Sequence, residues 1–552
     1  MTDRLSIALA QLNPVMGDIP GNLARARAAR RVAHAAGADL ILFSELFITG
    51  YPPEDLVLKP AFQSDAMEAV KAFAKDTADG PAVLIGTPWV KEGALYNGVA
   101  LLDAGSVQGV TFKVDLPNYG VFDEKRLFRQ GPMPGPLAIR GVRIGVPICE
   151  DIWGPDPVEC LIETGAELLL APNGSPFDAA KRDHRLNVAV ARIVESGLPL
   201  VYLNQVGGQD ELVFDGASFV LNADKRLAVQ LPSWEEAVAV THWRRESSGW
   251  VCEPGPVAEA EELNAALYSG MMLGLKDYVN KNRFPGVVLG LSGGIDSALT
   301  AAVAVDALGA ERVRAVMMPS RYTSKESLDD AAEMARLLGM SYDTVPIEDP
   351  MRSFGAILAP VFAGRAPDTA EENIQARIRG LILMAISNKF GPMVLTTGNK
   401  SEMSVGYATL YGDMAGGYSV LKDLYKTRVF ALSRWRNQTR PKGALGPEGR
   451  VIPENVILRP PTAELREGQK DEDSLPPYAI LDGILECLIE GEMSYDDVVA
   501  KGYDPATVKR VEHMLYVAEY KRRQAPPGVK LSTRNFGRDR RYPITNAFRD
   551  AR

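Results

Sequence analysis

The sequence predicts an α/β protein of two domains, and three observations lead to this class. First, the chain has 552 residues, which are too many for one hydrophobic core. Second, both halves alternate short β-branched apolar runs with amphipathic stretches, the pattern of strands followed by helices. Third, the alternation stops near residues 244–262, where the chain is polar and contains proline and glycine. We therefore expect domains at 1–245 and 265–552, joined by a linker at 246–264.

The composition is that of an ordinary soluble globular protein, with 46% apolar and 24% charged residues. A net charge of −9 gives no electrostatic reason to expect nucleic acid or an anionic membrane as a partner. The N-terminal apolar run is too short for a signal peptide, and no stretch approaches the roughly 20 apolar residues of a membrane span. The four cysteines lack C-x-x-C spacing, so neither a disulfide framework nor structural zinc is expected. We therefore expect a cytoplasmic protein with reduced thiols.

Each half has its own succession of predicted elements. Residues 22–36 are predicted as a helix, because arginines occupy one side and alanine, leucine and valine the other. In the second half, strands that alternate with helices indicate a doubly wound parallel sheet with helices on both faces. Residues 356–368 are predicted as an irregular loop, after which Thr369 and Glu372 form a capping-box pattern that opens a helix to about Phe390. The predicted strands are SIALAQL, LILFSEL, AVLIGTPWV, VRIGVPICE, LLLAPNGS and LPLVYLNQV in the first half, and GVVLGLS, VRAVMMPS, YDTVPIE and MVLTTGN in the second.

A glycine-rich turn, LGLSGGIDSALT, joins the first predicted strand of the second half to its helix. Its glycines allow backbone amides to approach an anion closely, and the helix N-terminus adds partial positive charge. The turn lacks the lysine of a Walker A sequence and the spacing of a dinucleotide-binding G-x-G-x-x-G. Asp296 would repel a bound phosphate unless a cation bridged the two, so it implies Mg²⁺. We therefore predict a phosphate site at the carboxyl end of a parallel strand.

The segment SGGIDS resembles the pyrophosphate-binding loop of the ATP pyrophosphatase families, which split ATP between the α and β phosphates. Downstream, EENIQARIRG, TTGNKSEMSVGYATLYGD, LYKTRV, PPTAELR and YKRRQAPP resemble the NAD synthetases, so that the resemblance spans essentially all of residues 265–552. It implies that ATP adenylates deamido-NAD and that ammonia then displaces AMP. Because ammonia is mostly ammonium at neutral pH, and ammonium is not nucleophilic, a tethered ammonia source is expected.

The same resemblance implies ligand contacts for particular residues of the second half. Asp296 and Glu402 would ligate Mg²⁺, although on spacing alone Glu402 could be a solvated loop charge. Lys521 lies in a basic run of the kind that is usually solvated, and Leu410 stands where small bacterial NAD synthetases have a lysine. The residues implied to bind ATP are Gly290, Leu291, Ser292, Gly293, Gly294, Ile295, Asp296, Ser297 and Thr397, with Lys426 and Thr462 near it; those implied to bind deamido-NAD are Asn373, Glu402, Tyr407 in the 407–410 stretch, and Lys521.

The first half carries three fragments suited to releasing ammonia from an amide. Glu45 lies in ILFSELFITGYPP, Lys113 in VTFKVDLPNYGVFDEKRLF, and Cys149 in VRIGVPICEDIWGP. Cys149 directly follows an apolar strand, which can present a thiol at its end. A nucleophilic thiolate needs a base and a nearby positive charge, which Glu45 and Lys113 can supply. Each has an alternative interpretation, since cysteine is often a buried structural residue and the two charges could lie at the surface.

Together these fragments resemble the nitrilase superfamily over about residues 4–240, and LPNYGVFDEKR and NGSPF are similar to its glutaminase domains fused to NAD synthetases. The resemblance implies a four-layer αββα sandwich, an ammonia tunnel and a homo-oligomer. Cys149 would attack the glutamine amide, Glu45 would take the thiol proton and later activate water, and Lys113 would stabilise the oxyanion. Glu124 could be a supporting carboxylate or an ordinary surface residue. The residues implied to bind glutamine are Tyr119, Ser175 and Lys181.

We therefore predict an enzyme that uses ATP, glutamine and Mg²⁺ to amidate deamido-NAD, with only small molecules as substrates. Two other interpretations start from the same residues. An adenylating enzyme acting on a tRNA base would keep the phosphate loop, but the sequence has no obvious nucleic-acid surface. A non-catalytic nucleotide sensor would have no use for a thiol nucleophile, so the presence of Glu45, Lys113 and Cys149 disfavours it.

Overall fold

The computed structural model describes residues 3–550 and divides them into two compact units, which meet in sequence at Glu261 and Glu262. The predicted linker, 246–264, is shorter in the structure, because Gly249–Cys252 forms a strand that pairs with the strand before it. Gly249 permits the tight connection between these strands through its left-handed φ of 114°. Within the described range, no helix combines the length and apolar character needed to cross a bilayer.

The first unit contains two large sheets and five α-helices within its described residues. Its elements, in chain order, are β1 Arg4–Gln11, α1 Ile19–Ala35, β2 Leu40–Phe43, α2 Pro60–Lys75, β3 Ala82–Lys91, β4 Ala94–Asp103, β5 Ser106–Phe112, α3 Glu124–Leu127, β6 Leu137–Ile139, β7 Val142–Gly145, α4 Asp156–Glu163, β8 Leu168–Asn173, α5 Lys181–Ser196, β9 Leu200–Asn204, β10 Val206–Gln209, β11 Leu212–Asp215, β12 Phe219–Leu221, β13 Leu227–Gln230, β14 Ala237–Glu246 and β15 Gly249–Cys252. The larger sheet has the order β15-β14-β1-β2-β3-β4-β5, and the smaller has the order β13-β12-β9-β8-β7-β6.

Alternation of side chains along the strands produces the layers of this unit. On β1, Ile7 and Leu9 enter a core shared with Leu168 and Leu170 of β8, so the two sheets pack face to face. The intervening β1 residues face the other way and pack against α1 and α2. On the far side of the smaller sheet, α4 and α5 cover the opposite face of β8 and β9. The predicted αββα sandwich is therefore confirmed.

The second unit is built on one parallel sheet. Its elements, in chain order, are α6 Leu263–Lys281, β16 Val287–Gly290, α7 Ile295–Leu308, β17 Val313–Met317, α8 Lys325–Leu338, β18 Ser341–Thr344, α9 Glu348–Leu358, α10 Thr369–Phe390, β19 Met393–Thr396, α11 Lys400–Val405, β20 Tyr418–Ser419, α12 Lys426–Gln438, α13 Glu454–Leu458, α14 Tyr478–Ile489, α15 Tyr495–Ala500, α16 Pro505–Val517 and α17 Glu519–Arg522. The strand order is β18-β17-β16-β19-β20, and every pairing is parallel.

This order places a topological switch point between β16 and β19, because the chain first adds strands on one side of β16 and then on the other. In doubly wound sheets the carboxyl ends of the strands at such a point form the usual ligand crevice. The glycine-rich turn follows β16, and the segment with Thr397 and Glu402 follows β19. Both predicted binding segments therefore reach the same edge of the sheet.

Two local predictions around α10 need correction. Residues 356–368 are not all irregular, since α9 continues to Leu358. The helix does run from Thr369 to Phe390, but its capping box lies one residue earlier than predicted. Asp368 Oδ1 accepts from the Ala370 amide at 2.7 Å, and Glu371 Oε2 accepts from the Asp368 amide at 2.8 Å. The extended backbone of Asp368 makes it the cap, and aspartate is a better cap than threonine.

Candidate functional site

In the first unit, the ends of three strands bring the predicted nucleophile, base and cation together. Glu45 lies just after β2, Lys113 directly after β5, and Cys149 opens a short turn, Cys149–Ile152, beyond β7. All three side chains are buried, with Glu45 and Lys113 0% exposed. Surface roles for the two charges are therefore excluded by the fold.

Lys113 lies between two carboxylates. Its Nζ donates to Glu45 Oε1 at 2.7 Å and to Glu124 Oε1 at 2.9 Å. Burial disfavours the lysine charge, but the two carboxylates outweigh burial and raise the pKa of Lys113 well above its usual value. Burial raises the pKa of Glu124 to about 7, against the opposing effect of Lys113. We call Glu45, Lys113, Glu124 and Cys149 the Lys113 cluster.

Cys149 combines an unusual backbone conformation with a buried thiol. Its φ of 49° lies in the left-handed region, a strained conformation that for a non-glycine residue is typical of functional positions. Burial, followed by the charge of Glu45, raises the pKa of its thiol well above the usual value. Lys113 and the Gly174 amide oppose that shift. The resting thiol is therefore protonated, and attack requires a neighbour that accepts its proton.

The structure adds residues around this cluster that the sequence did not indicate. Asn97 Nδ2 donates to Glu45 Oε1 at 2.8 Å, and the Gly174 amide donates to Glu45 Oε2 at 2.9 Å. Asp151, 1% exposed, accepts from the backbone amides of Val114, Asp115 and Ile148 at 2.8–2.9 Å. It thereby ties the segment after Lys113 to the turn that carries Cys149. Only its place two residues beyond Cys149 could have indicated it.

The three residues predicted to bind glutamine have different surroundings. Tyr119, which is 52% exposed, donates its hydroxyl to Glu150 Oε1 at 2.8 Å. The Lys181 ammonium lies 4.6 Å from the centre of the Trp153 ring, and burial lowers its pKa. Ser175 is buried, and its hydroxyl accepts from Arg185 Nε at 3.1 Å. Glu150, directly after the candidate nucleophile, is a further charged group at this site that sequence reasoning missed.

In the second unit, the glycine-rich turn borders a cavity of about 280 Å³. Gly293 has a φ of 79°, and a Cβ there would lie 2.4 Å from the Ser327 carbonyl oxygen, so only glycine fits. Ser292 and Ser297 bond each other through their hydroxyls at 3.1 Å, which closes the turn. The residues of the turn that line the cavity are Gly290, Leu291, Ser292, Gly293, Gly294, Ile295, Asp296 and Ser297. The turn and the N-terminus of α7 together form a site suited to an anion.

The two carboxylates predicted to ligate Mg²⁺ share a lysine. Lys426 Nζ pairs with Asp296 Oδ2 and with Glu402 Oε1, the latter at 3.0 Å. Asn399 Nδ2 donates to Asp296 Oδ1 at 2.8 Å. Burial raises the pKa of Glu402 to about 8, while Lys426 opposes the shift. Two carboxylates in reach of one cation, beside a phosphate turn, fit Mg²⁺, which is held by one or two carboxylates plus substrate phosphates. We call Asp296, Glu402 and Lys426 the Lys426 cluster.

The remaining predicted residues fall into two groups. Thr397, Tyr407 and Thr462 line the cavity. Asn373 and Lys521 instead contact the loop at its edge: Asn373 Oδ1 accepts from the Thr409 hydroxyl at 2.7 Å, and Lys521 Nζ donates to the carbonyls of residues 406 and 408 at 2.7 Å. Cavity-lining charges that the sequence did not single out are Arg379, Asp413, Lys422, Arg459, Glu464 and Asp471.

Comparison with known protein families gives two matches, one for each unit. The carbon-nitrogen hydrolase family matches residues 6–252, and the NAD synthase family matches residues 267–525. The first match contains the whole Lys113 cluster, and the second contains the whole Lys426 cluster.

Relatives that align with nearly the whole chain are consistent with this combination of two families. A glutamine-dependent NAD(+) synthetase of Rhodobacter capsulatus is 56% identical over 550 residues, covering 100% of both chains, and that of Thermotoga maritima is 46% identical, covering 99% of each. A solved structure of glutamine-dependent NAD+ synthetase from Acinetobacter baumannii in complex with adenosine diphosphate is 43% identical, with a TM-score of 0.79 over 99% of each chain. The chain therefore belongs to the family of glutamine-dependent NAD(+) synthetases.

Proposed function

We propose that the chain converts deamido-NAD to NAD, using ATP to activate the nicotinate carboxylate and glutamine as the source of nitrogen. The first unit carries the glutaminase step, and the second carries the synthetase step. The proposal is supported by the presence of two distinct lysine-carboxylate clusters in one chain, one beside a thiol and one beside a phosphate turn. The names of the full-length relatives describe the same overall conversion.

In the glutaminase step, Cys149 Sγ attacks the side-chain carbonyl of glutamine. Glu45 accepts the thiol proton and delivers it to the departing nitrogen, so that ammonia leaves and a thioester forms. Lys113 donates to the oxyanion that develops on the carbonyl oxygen. Glu45 then activates water, which hydrolyses the thioester to glutamate and restores the thiol. Glu124 keeps Lys113 protonated, and Tyr119, Ser175 and Lys181 hold the amino acid end of glutamine.

In the synthetase step, the nicotinate carboxylate attacks the α phosphate of ATP and releases pyrophosphate. Residues 290–297 hold the phosphates through backbone amides and hydroxyls, and Thr397 contacts the adenosine. Ammonia then attacks the acyl-adenylate, the bond to AMP breaks, and the amide of NAD remains. Asn373, Tyr407 and Lys521 bind deamido-NAD or shape the loop that does so.

Asp296 and Glu402 are the residues that would hold Mg²⁺. The ion supplies charge stabilisation on the phosphates when it is bound with ATP. Lys426 contributes a second positive charge at the same point of the site. The homo-oligomer and the ammonia tunnel implied by the resemblance stay predictions, as does the cytoplasmic location expected from the composition and the cysteine pattern.

The observation that carries this proposal is that one chain contains both the Lys113 cluster and the Lys426 cluster. Purified full-length chain, supplied with ATP, Mg²⁺ and deamido-NAD, tests it when glutamine is compared with ammonium. We expect NAD, AMP and pyrophosphate with either nitrogen donor, and glutamate with glutamine alone. Formation of ADP and phosphate, or no NAD with either donor, would overturn the proposal.

A further inference from the structure

Residues 526–540 pack closely within the second unit, although the NAD synthase match stops at residue 525. We call residues 526–540 the C-terminal segment. Val529 and Leu531 in it are 0% and 1% exposed, and Phe536 is buried in the core formed by α14 and α16. The segment is therefore an integral part of this unit, and it adds polar contacts as well as apolar ones.

Two polar groups of this segment contact one buried lysine. Lys400 is 0% exposed, and its Nζ donates to Ser532 Oγ and to the Arg534 carbonyl, both at 2.7 Å. The same Nζ pairs with Asp423 at 2.9 Å and with Glu490 at 2.5 Å. We call Lys400, Asp423, Glu490 and Ser532 the Lys400 node. An ammonium has three protons, so four partners leave none of its hydrogen-bonding capacity unused.

Ser532 contacts two of the three charged residues of the node, Lys400 and Asp423. Its hydroxyl accepts from Lys400 and donates to Asp423 Oδ1 at 2.9 Å. The backbone amides of Leu531 and Ser532 both donate to Asp423 Oδ2 at 2.7 Å. The C-terminal segment thus reinforces the direct pair of Lys400 with Asp423 through one hydroxyl and two amides.

Both residues belong to segments that carry the Lys426 cluster. Lys400 is the first residue of α11, and Glu402 lies two positions later on the same helix. Asp423 lies three positions before Lys426, which is the first residue of α12. The Lys400 amide also donates to the Leu424 carbonyl at 2.8 Å, so the two helix starts are joined directly. The node is therefore close in sequence to both members of the ion pair between Lys426 and Glu402.

We propose that Lys400 and Ser532 are positioning residues of the synthetase site, through which the C-terminal segment sets the starts of α11 and α12. The inference rests on the function proposed above, since it concerns where Glu402 and Lys426 lie when ATP binds. Neither residue is among those that line the cavity. Their effect passes through helix starts whose position decides whether Asp296, Glu402 and Lys426 meet, and small displacements of such groups reduce turnover strongly.

The test replaces Ser532 in the full-length chain. Ser532→Ala removes the hydroxyl that bridges Lys400 and Asp423 but keeps their direct ion pair and the two backbone bonds to Asp423. We expect kcat for ammonium-driven NAD formation to fall about 10-fold. This is the effect typical of residues that orient a binding residue without touching the bound group themselves. ATP should bind more weakly in calorimetry with Mg²⁺, and glutamate release from glutamine should be unchanged. Ser532→Thr, which retains the hydroxyl, should restore both kcat and ATP affinity.

Two matched variants distinguish a positioning role from a general loss of stability. Ser433→Ala removes another buried hydroxyl, one that bonds only the Val429 carbonyl within α12. Glu492→Gln removes the charge that pairs with the Arg534 guanidinium at the surface, and it leaves the Arg534 carbonyl free to accept from Lys400 as before. We expect both to keep wild-type kcat at a temperature well below their unfolding midpoints.

The outcomes distinguish the inference from the function on which it rests. If Ser532→Ala retains wild-type kcat and ATP affinity, or if Ser433→Ala loses as much activity, the positioning role is wrong. If Ser532→Ala does not fold, Ser532→Cys keeps the shape with a weaker hydrogen-bonding group, and unchanged turnover in that variant contradicts the inference equally. Absence of NAD formation by the wild-type chain in the same assay would instead overturn the proposed function.

Discussion

The candidate site of each unit contains a buried lysine between two carboxylates, but the two clusters differ in what surrounds them. In the Lys113 cluster the lysine and its carboxylates are 0–5% exposed, and a protonated thiol lies beside them. In the Lys426 cluster the lysine is 2% exposed, but each carboxylate is 17% exposed and lines a cavity of about 280 Å³. The same arrangement of charge is therefore closed in one unit and open in the other.

This difference explains how similar clusters support different chemistry. A closed cluster can act only on its immediate neighbour, which is consistent with the roles proposed for its charges, removal of a proton from Cys149 and stabilisation of an oxyanion. An open cluster can accept a further cation and face a phosphate, because its carboxylates reach the cavity. Exposure of the carboxylates, more than the lysine itself, separates the two roles.

The largest expected effect comes from removing the nucleophile of the closed cluster. We expect Cys149→Ala to lower glutamine-driven NAD formation by about 10³-fold or more, since loss of a covalent nucleophile removes the whole pathway. Ammonium-driven NAD formation should remain near wild type. The measurement compares both nitrogen donors in one NAD assay; loss of the ammonium route as well would contradict the separation of the two clusters.

Removal of the lysine should destabilise the two units to different extents. Lys113→Met leaves two buried carboxylates unpaired and should destabilise the first unit by about 3–5 kcal/mol. Lys426→Met should destabilise the second unit less, because its carboxylates reach the cavity. Hydrogen exchange, which reports each unit separately, measures both effects. Equal destabilisation of the two units would show that the difference in exposure has no energetic consequence.

In the open cluster, Asp296→Asn tests the site that both nitrogen donors share. The substitution keeps the shape of the side chain but removes its charge, so we expect a loss of about 10²-fold with glutamine and with ammonium alike. Glutamate release at Cys149 should continue. Pyrophosphate formation is the direct measurement, and robust ammonium-driven turnover in this variant would refute the role given to Asp296.

The smallest effect concerns pH and the closed cluster. Burial raises the pKa of Glu124 from 4.5 to about 7, with Lys113, Glu45 and Tyr51 facing it. The folded chain therefore keeps a proton there that the unfolded chain releases at lower pH. This contribution to stability is fully present below pH 4.5 and is lost as pH rises through about 7. Between pH 6 and 8, hydrogen exchange of the first unit should change less in Glu124→Gln than in wild type; identical pH dependence would contradict this assignment.

Much of the fold follows from local sequence patterns. The helix at 369–390 and the parallel strands of the second unit were predictable, because periodicity and turn residues act over short distances. The exact capping residue was not, since Asp368 and Thr369 each have a glutamate three positions later and only backbone geometry selects between them. The strand at Gly249–Cys252 was missed because its partner strand, and not its own composition, stabilises it.

The sequence indicated which residues to expect at the candidate sites, but it indicated few of the contacts between them. Glu45 and Lys113 are 68 positions apart, and the resemblance to a family, more than spacing, paired them. Asn97 and Asp151 carry no pattern that distinguishes them from ordinary polar residues, so only the fold shows that they brace the cluster. Likewise, the contact of Lys426 with both predicted metal ligands depends on three segments that meet only in three dimensions.

The central claim is that nitrogen released from glutamine at the Lys113 cluster is incorporated into NAD at the Lys426 cluster. Isotopic labelling tests this claim most directly. The wild-type chain is supplied with ATP, Mg²⁺, deamido-NAD and glutamine labelled with ¹⁵N in the side-chain amide, and the NAD formed is analysed by mass spectrometry. We expect the label in the carboxamide of NAD, with one AMP and one pyrophosphate for each NAD. Unlabelled NAD, or NAD accompanied by ADP and phosphate, would contradict it.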